Sequence, residues 1–301
     1  MKITSFLMFA EPEKLQYPYV ASIESLASFS DTIIINFASS HDPAYRLFEK
    51  ESYDKILELK RKYLGSVNIE IMLNETWPNM YKLKYEDFRL NIQNYLDMCK
   101  EGWFLKCDGD NVFQDCSRIK MRDFLSKSHG KHHLLSFPRI NVINKDKFCL
   151  NYSQQDVYMH KINKPTTDIY AINIDLLKSS SINYEITKDP KHWCKVVFDQ
   201  YVDHCFVTDK DLMSINYDAT FFTKTRLVDF WKKTHQAYED AMNRRDHTIN
   251  MSDEEIIKEY ANYRRAKSVG VINVDHPTHV ATKINSLTEE HWGYNNFGNK
   301  I

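Results

Sequence analysis

The chain has 301 residues, 43% hydrophobic and 13% aromatic, with 40 Lys+Arg against 41 Asp+Glu and a formal net charge of -1. That is enough apolar material for one large domain or a domain with an appendage, and the charge balance argues against a general nucleic-acid binder, which carries a basic excess. No apolar run approaches the ~20 residues that span a bilayer, and Ile3–Ala10 lacks the length and cleavage pattern of a signal peptide, so a cytoplasmic protein without a transmembrane segment is expected.

The first half alternates strand and helix. Ile3–Phe9 reads as a strand, Tyr19–Phe29 as a helix, and Thr32–Phe37 as a second strand, followed by a turn over Ala38–Pro43. A helix is predicted over Tyr45–Tyr63, a strand over Val67–Met72, and an amphipathic helix over Tyr85–Cys99 with Phe88, Ile92, Tyr95, Leu96 and Cys99 on one face. The apolar run Gly102–Cys107 then reads as a buried strand. This order, β-α-β-α-β-α-β, is the signature of a parallel sheet covered by helices, and ligands bind such sheets at the carboxyl ends of the strands.

The second half is less regular. Strand material is expected at His132–Phe137, Arg139–Ile143, Thr167–Ile174 and Leu212–Tyr217. Asp189-Pro190 reads as a helix cap opening a helix through Val197 or Tyr201. Thr225–Arg244 and Ser252–Ala266 are predicted helices, and Asp275–Ile301 shows few helix signals.

The six cysteines form no Cys-x-x-Cys pair, which fits reduced thiols in a cytosolic protein. The seven glycines include no Gly-x-Gly-x-x-Gly and no Walker loop, so dinucleotide and P-loop chemistry have no support. Chemistry concentrates instead at Asp108-Gly109-Asp110. Two carboxylates at i and i+2 after a buried strand can both turn toward one hard cation, and such a cation can hold a diphosphate and stabilise it as it leaves. The plain alternative is a polar turn.

These motifs, in this order, resemble a family-two-like nucleotide-sugar glycosyltransferase with a GT-A fold. Ile23-Glu24-Ser25-Leu26 followed by Thr32–Asn36 is similar to that family's first helix and second strand. Ser39-Ser40-His41-Asp42 is similar to its Gly-Ser-x-Asp turn, Arg89-Leu90-Asn91 falls where an Arg-Asn pair precedes the metal motif, and Gly102–Asp110 resembles the aromatic-apolar strand ending in Asp-x-Asp. The resemblance covers roughly the first 115 residues. Two positions depart from it: Asn36 stands where an acidic residue commonly contacts the nucleoside, and Ser39 replaces the turn glycine.

The resemblance implies an α/β fold, a GT-A-type Rossmann-like mixed sheet flanked by helices with a mainly helical C-terminal extension. Residues 1–222 would form the nucleotide-sugar-binding and catalytic domain, and 223–301 the extension and tail packing on it. It implies sugar transfer from a nucleoside-diphosphate donor, a UDP- or GDP-sugar, to a glycan or glycolipid acceptor, with inversion expected. Asp108 and Asp110 would hold Mn2+ or Mg2+ against the phosphates. Glu11, Asn36 and Asp42 would contact base or ribose, and Arg89 the diphosphate. In similar enzymes the base that deprotonates the acceptor lies downstream near a helix start, which selects Asp189 first and Asp203, beside His204, second. Some GT-A enzymes complete the metal shell with a C-terminal histidine, which points to His276 or His279. Two other readings stand beside this one. In a haloacid-dehalogenase-like phosphatase Asp108 would be the nucleophile, although there the motif ends the first strand. The other is a non-catalytic glycan-binding protein that keeps a GT-A-like fold.

Overall fold

The computed structural model describes residues 1–9, 16–38, 46–74, 85–151, 169–188, 196–232, 251–265 and 268–294. In chain order the elements are β1 (Ile3–Phe9), α1 (Tyr19–Ala27), β2 (Thr32–Ala38), α2 (Arg46–Lys62), β3 (Asn68–Asn74), α3 (Tyr85–Met98), β4 (Trp103–Asp108), β5 (Asn111–Phe113), α4 (Ser117–Ser128), β6 (Leu134–Phe137), β7 (Arg139–Asn144) and β8 (Lys147–Asn151). There follow β9 (Ile169–Asn173), α5 (Ile174–Ser179), β10 (Tyr184–Ile186), β11 (Val196–Phe198), β12 (His204–Phe206), β13 (Ser214–Asn216), a helical segment α6 (224–232), α7 (Asp253–Arg265), β14 (Ser268–Ile272) and α8 (Thr278–Asn285).

The main sheet has seven strands in the order β12-β6-β9-β4-β1-β2-β3. β3, β2, β1 and β4 are parallel, β9 runs against both β4 and β6, and β12 is parallel to β6. The result is a Rossmann-like mixed sheet flanked by helices, with a helical C-terminal region, the fold class that the resemblance implies; the alternating pattern predicts its parallel half. β4 is central, and Trp103–Cys107 are all buried because helices cover both faces. Trp103, Leu105 and Cys107 join a core built with Ile23 and Leu26 of α1, Ile56 and Leu59 of α2, and Met121 and Leu125 of α4. Phe104, on the other face, meets Ile92 and Leu96 of α3 and Leu177 of α5. Each fully buried large apolar side chain contributes roughly 1.5–3 kcal/mol, so this alternation fixes which edge of β4 faces outward.

Gly102 sets the start of β4. Its φ of +71° lies in the left-handed region, and a Cβ there would sit 2.0 Å from the Lys2 carbonyl oxygen. Only glycine allows the strand to enter so close to β1.

A second sheet of five strands, β14-β8-β7-β13-β5, stands beside the first. One face is apolar: Val112, Ile215, Ile140, Val142 and Phe148 pack against Val280 and Ile284 of α8 and Ala21 of α1. The alternate residues form the other face. Asn111 pairs with Asn216, Asn216 with Asn141, and Asn141 with Cys149, so three asparagines lie in one row across three strands.

Two expectations change. The helix expected to run from Asp189 through Val197 or Tyr201 is replaced at its end by β11, which pairs antiparallel with β10. Val196-Val197-Phe198 are β-branched and aromatic and gain a partner strand in Tyr184–Ile186. Asp189 itself lies outside the described residues. The C-terminal stretch, which offers few helix signals, contains α8; Pro277 stands at its N-cap, and Val280 and Ile284 give it a buried stripe at i, i+4 spacing.

Candidate functional site

β4 ends at Asp108, and the chain turns through Gly109 into β5, leaving Asp110 in the angle between the two sheets. Asp108 is paired across the row with Met8, and Met8 with Asn36, so these three residues share one level at the carboxyl edge of the parallel strands. Lys106 sits two residues earlier on the same face. Its ammonium, 5% exposed, donates to Asp108 Oδ1 at 2.6 Å.

Asp110 is buried and accepts from Asn111 Nδ2 at 2.6 Å and Asn216 Nδ2 at 2.8 Å. Burial, then the negative charges of Asp218 and Asp108, push its carboxyl up to about 7, against the lowering influence of Arg139 and the Asn216 hydrogen bond. Two amide donors are thus outweighed by desolvation and like charge.

Asp218 is the residue that sequence reasoning missed. It follows β13 just as Asp110 follows β4, and its backbone N–H donates to Asn216 Oδ1 at 3.3 Å. The Tyr260 hydroxyl donates to its carboxylate at 3.1 Å. Tyr260 is held edge-on between Trp231 and Trp292, with centroids 5.1 and 5.0 Å away, so its hydroxyl is fixed. The Tyr17 phenol completes the group. Burial, followed by the charges of Asp218 and Asp110, then Tyr260 and Asp108, holds it well above its ordinary value, so it remains a donor. The signal was present in Ile215-Asn216-Tyr217-Asp218, a short apolar strand ending in Asn-x-Asp.

The other candidates are distributed as follows. Asn36 is fully buried; its Nδ2 reaches the Tyr95 hydroxyl at 3.4 Å, and its Oδ1 has no hydrogen-bond partner among the described residues. Arg89 is buried one turn before Ile92, on the face that α3 packs against the sheet. Glu11, Asp42 and Asp189 lie outside the described residues. Asp203 is not brought to the cluster. The register runs His204–Leu134–Ile172–Phe104, so Asp203, one residue before His204, stands at the amino edge, about 16 Å along the strands from Asp108. Its backbone N–H donates to His133 Nδ1 at 3.1 Å, and its side chain is 55% exposed.

Both histidines are engaged elsewhere. The Tyr217 hydroxyl donates to His276 Nδ1 at 2.8 Å, and His276 Nε2 donates to the Lys145 carbonyl at 2.9 Å. Burial pushes this imidazole below its usual value, consistent with a neutral ring. His279 Nδ1 lies 2.8 Å from Glu24 and Nε2 accepts from Arg118. These contacts tie α8 to the core.

Asp108, Asp110 and Asp218 each offer hard oxygen atoms, but among the described residues no group of three or more His, Cys, Asp or Glu side chains could hold a metal ion. No helix of the described residues is long and apolar enough to cross a membrane.

No family model and no curated protein matches the chain. Among solved structures it is similar to S. aureus TarS 1-349, at 13% identity and TM-score 0.41, covering 88% of this chain and 73% of that one. It is likewise similar to S. aureus TarS, at 14% identity and TM-score 0.41, covering 89% of this chain and 44% of that one. CMP:2-keto-3-deoxy-manno-octonic acid synthetase complexed with CTP matches at 9% identity and TM-score 0.30, over 60% of this chain and 78% of that one.

Proposed function

We propose that this chain is a metal-dependent glycosyltransferase that takes a nucleoside-diphosphate sugar, UDP- or GDP-linked, at the carboxyl edge of β4 and passes the sugar to a glycan or glycolipid acceptor. One observation supports the reading: buried Asp110, just beyond the carboxyl end of β4, is raised to about 7 by burial and then by the charges of Asp218 and Asp108. An excess of negative charge at the carboxyl edge of a parallel sheet suits a cation-bound diphosphate.

In this reading Asp108 and Asp110, joined by Asp218, hold Mn2+ or Mg2+, which when bound supplies neutralisation of the departing diphosphate. Asn111 and Asn216 orient the two oxygens of Asp110. Lys106 fixes one oxygen of Asp108 and adds a positive charge below the phosphates. The Tyr17 phenol is held protonated beside the carboxylates, and the Tyr260 hydroxyl donates to Asp218. Asn36 and Arg89, together with Glu11 and Asp42, are assigned to the nucleoside and diphosphate. Asp189 is the proposed base for the acceptor hydroxyl, with inversion as the outcome.

The test is thermal stabilisation by UDP, GDP, CMP and their sugars, each with and without Mn2+. A manganese-dependent rise with one nucleoside diphosphate is expected, lost in Asp108→Ala and Asp110→Ala while their circular dichroism stays native. No rise for the wild type with any of these at millimolar ligand would overturn the proposal.

A further inference from the structure

The row of asparagines on the second sheet contains an amide with nothing to bind. Asn111 donates to Asp110 and its Oδ1 accepts from Ser214 Oγ at 3.3 Å. Asn216 donates to Asp110, and its Oδ1 accepts the Asp218 N–H. Asn141, the third, is 1% exposed, and neither its Nδ2 nor its Oδ1 has a hydrogen-bond partner among the described residues. A buried amide left in this state is costly to the fold, and buried polar groups are nearly always satisfied.

Position says what the amide is for. Asn141 stands beside Asn216 in the parallel register, and Asn216 touches Asp110. Strands lie about 4.8 Å apart, so Asn141 is roughly 10 Å across the row from Asn111. That is the length of a β-phosphate plus one pyranose ring. A carboxamide presents a donor and an acceptor side by side, which matches two neighbouring hydroxyls, each able to give and to take a hydrogen bond. The row carries no formal charge of its own, which suits a neutral ring rather than a second phosphate.

We propose that the row Asn111–Asn216–Asn141 is the floor of a sugar-ring subsite, in which the Asn141 amide receives two hydroxyls of the sugar carried by the nucleoside diphosphate. The assignment rests on the donor reading above and adds where the sugar lies and which residue reads it.

The experiment compares wild type with Asn141→Leu, close in volume, and Asn141→Ser, which keeps a small polar group. Affinities for UDP, GDP, UDP-glucose, UDP-N-acetylglucosamine and GDP-mannose are measured with Mn2+ by calorimetry, and unfolding is followed without ligand. In both variants the affinity for UDP or GDP stays as in wild type. The extra affinity that the attached sugar confers on the wild type falls about tenfold. Asn141→Leu unfolds about 2 °C higher than wild type, because an unsatisfied amide has been removed. A wild type that gains affinity from the sugar and variants that gain equally would overturn the subsite while leaving the donor reading intact. Variants that unfold earlier with unchanged ligand affinities would also overturn it, since the amide would then be a structural group. A wild type that binds none of the five compounds would overturn the donor reading itself, and the subsite with it.

Discussion

At the amino edge of the seven-stranded sheet the aspartates fasten backbone and basic side chains, whereas at the carboxyl edge buried Asp110 feels the charges of two other aspartates. Asp31, at the start of β2, accepts the Ile3 N–H at 2.8 Å and Arg122 at 3.0 Å. Asp175 opens α5 and accepts the Gly102 N–H at 3.0 Å, with His129 Nε2 at 2.9 Å. These carboxylates fasten strands and helix ends. At the other edge Lys106 compensates Asp108, but Asp110 accepts from the neutral amides of Asn111 and Asn216, and two further carboxylates outweigh the Arg139 charge that acts on it. Neutral donors orient a carboxylate without cancelling its charge. The same residue type therefore builds the fold at one edge and concentrates negative charge at the other.

The largest expected effect breaks this contrast at its source. Asp110 has a folded-state value of about 7, above that of an unfolded aspartate. The native state holds this proton to higher pH than the unfolded chain, so the stability that Asp110 contributes is fully present below about pH 4 and is lost as pH rises through about 7. The decline should be on the order of 3 kcal/mol in metal-free protein and should vanish in Asp110→Asn, as urea unfolding at pH 4.5 and 7.5 would read. Asp218→Asn should shrink it, because one of the two opposing carboxylates is gone.

At the amino edge, Gly102→Ala should cost about 2 kcal/mol or more, since the new methyl meets the Lys2 carbonyl and φ is positive. Asp175→Ala comes next, at about 1.5 kcal/mol, by orphaning the buried Gly102 N–H; unlike Asp110→Asn, it should destabilise at neutral pH. The smallest effect is expected at Asp203→Ala. Its carboxylate is more than half exposed and remote from Asp108, so stability should move by less than about 0.5 kcal/mol and nucleotide affinity not at all. A large loss of nucleotide affinity there would show that the two edges are not as separate as the register implies.

How much of this was readable in the chain depended on element length. The parallel half was legible because β1 to β3 each have 7 residues of mostly apolar sequence and the intervening helices show a clear period. Asp108-Gly109-Asp110 was legible with it, since a long buried strand points straight at the motif. The second sheet was legible only in part: β7 and β13 fall on the strands expected at Arg139–Ile143 and Leu212–Tyr217, whereas β5, with 3 residues, and β8 and β14 were not anticipated, so nothing showed that these strands pair into a sheet of their own. Asp218 was lost with them, because its meaning comes from pairing Asn216 to Asn111, a contact between distant segments. His276 and His279 drew notice as metal-ligand types, but Tyr217, Lys145, Arg118 and Glu24 decide what their nitrogens do, and no local pattern encodes those partners.

The second sheet also sets an order of events in time. β1 to β4 can pair as soon as the first third of the chain is available, each with a near neighbour in sequence. The asparagine row needs Asn216 to find Asn111 across 105 residues, and β8 gains its outer neighbour only when Ser268 meets Asn151. Contacts of such separation form late, after the loop-closure entropy has been overcome. Folding should therefore show an early phase reporting Trp103 burial and a slower one reporting Trp292. Between the two phases the chain would hold a finished parallel half whose carboxyl edge still lies open to water.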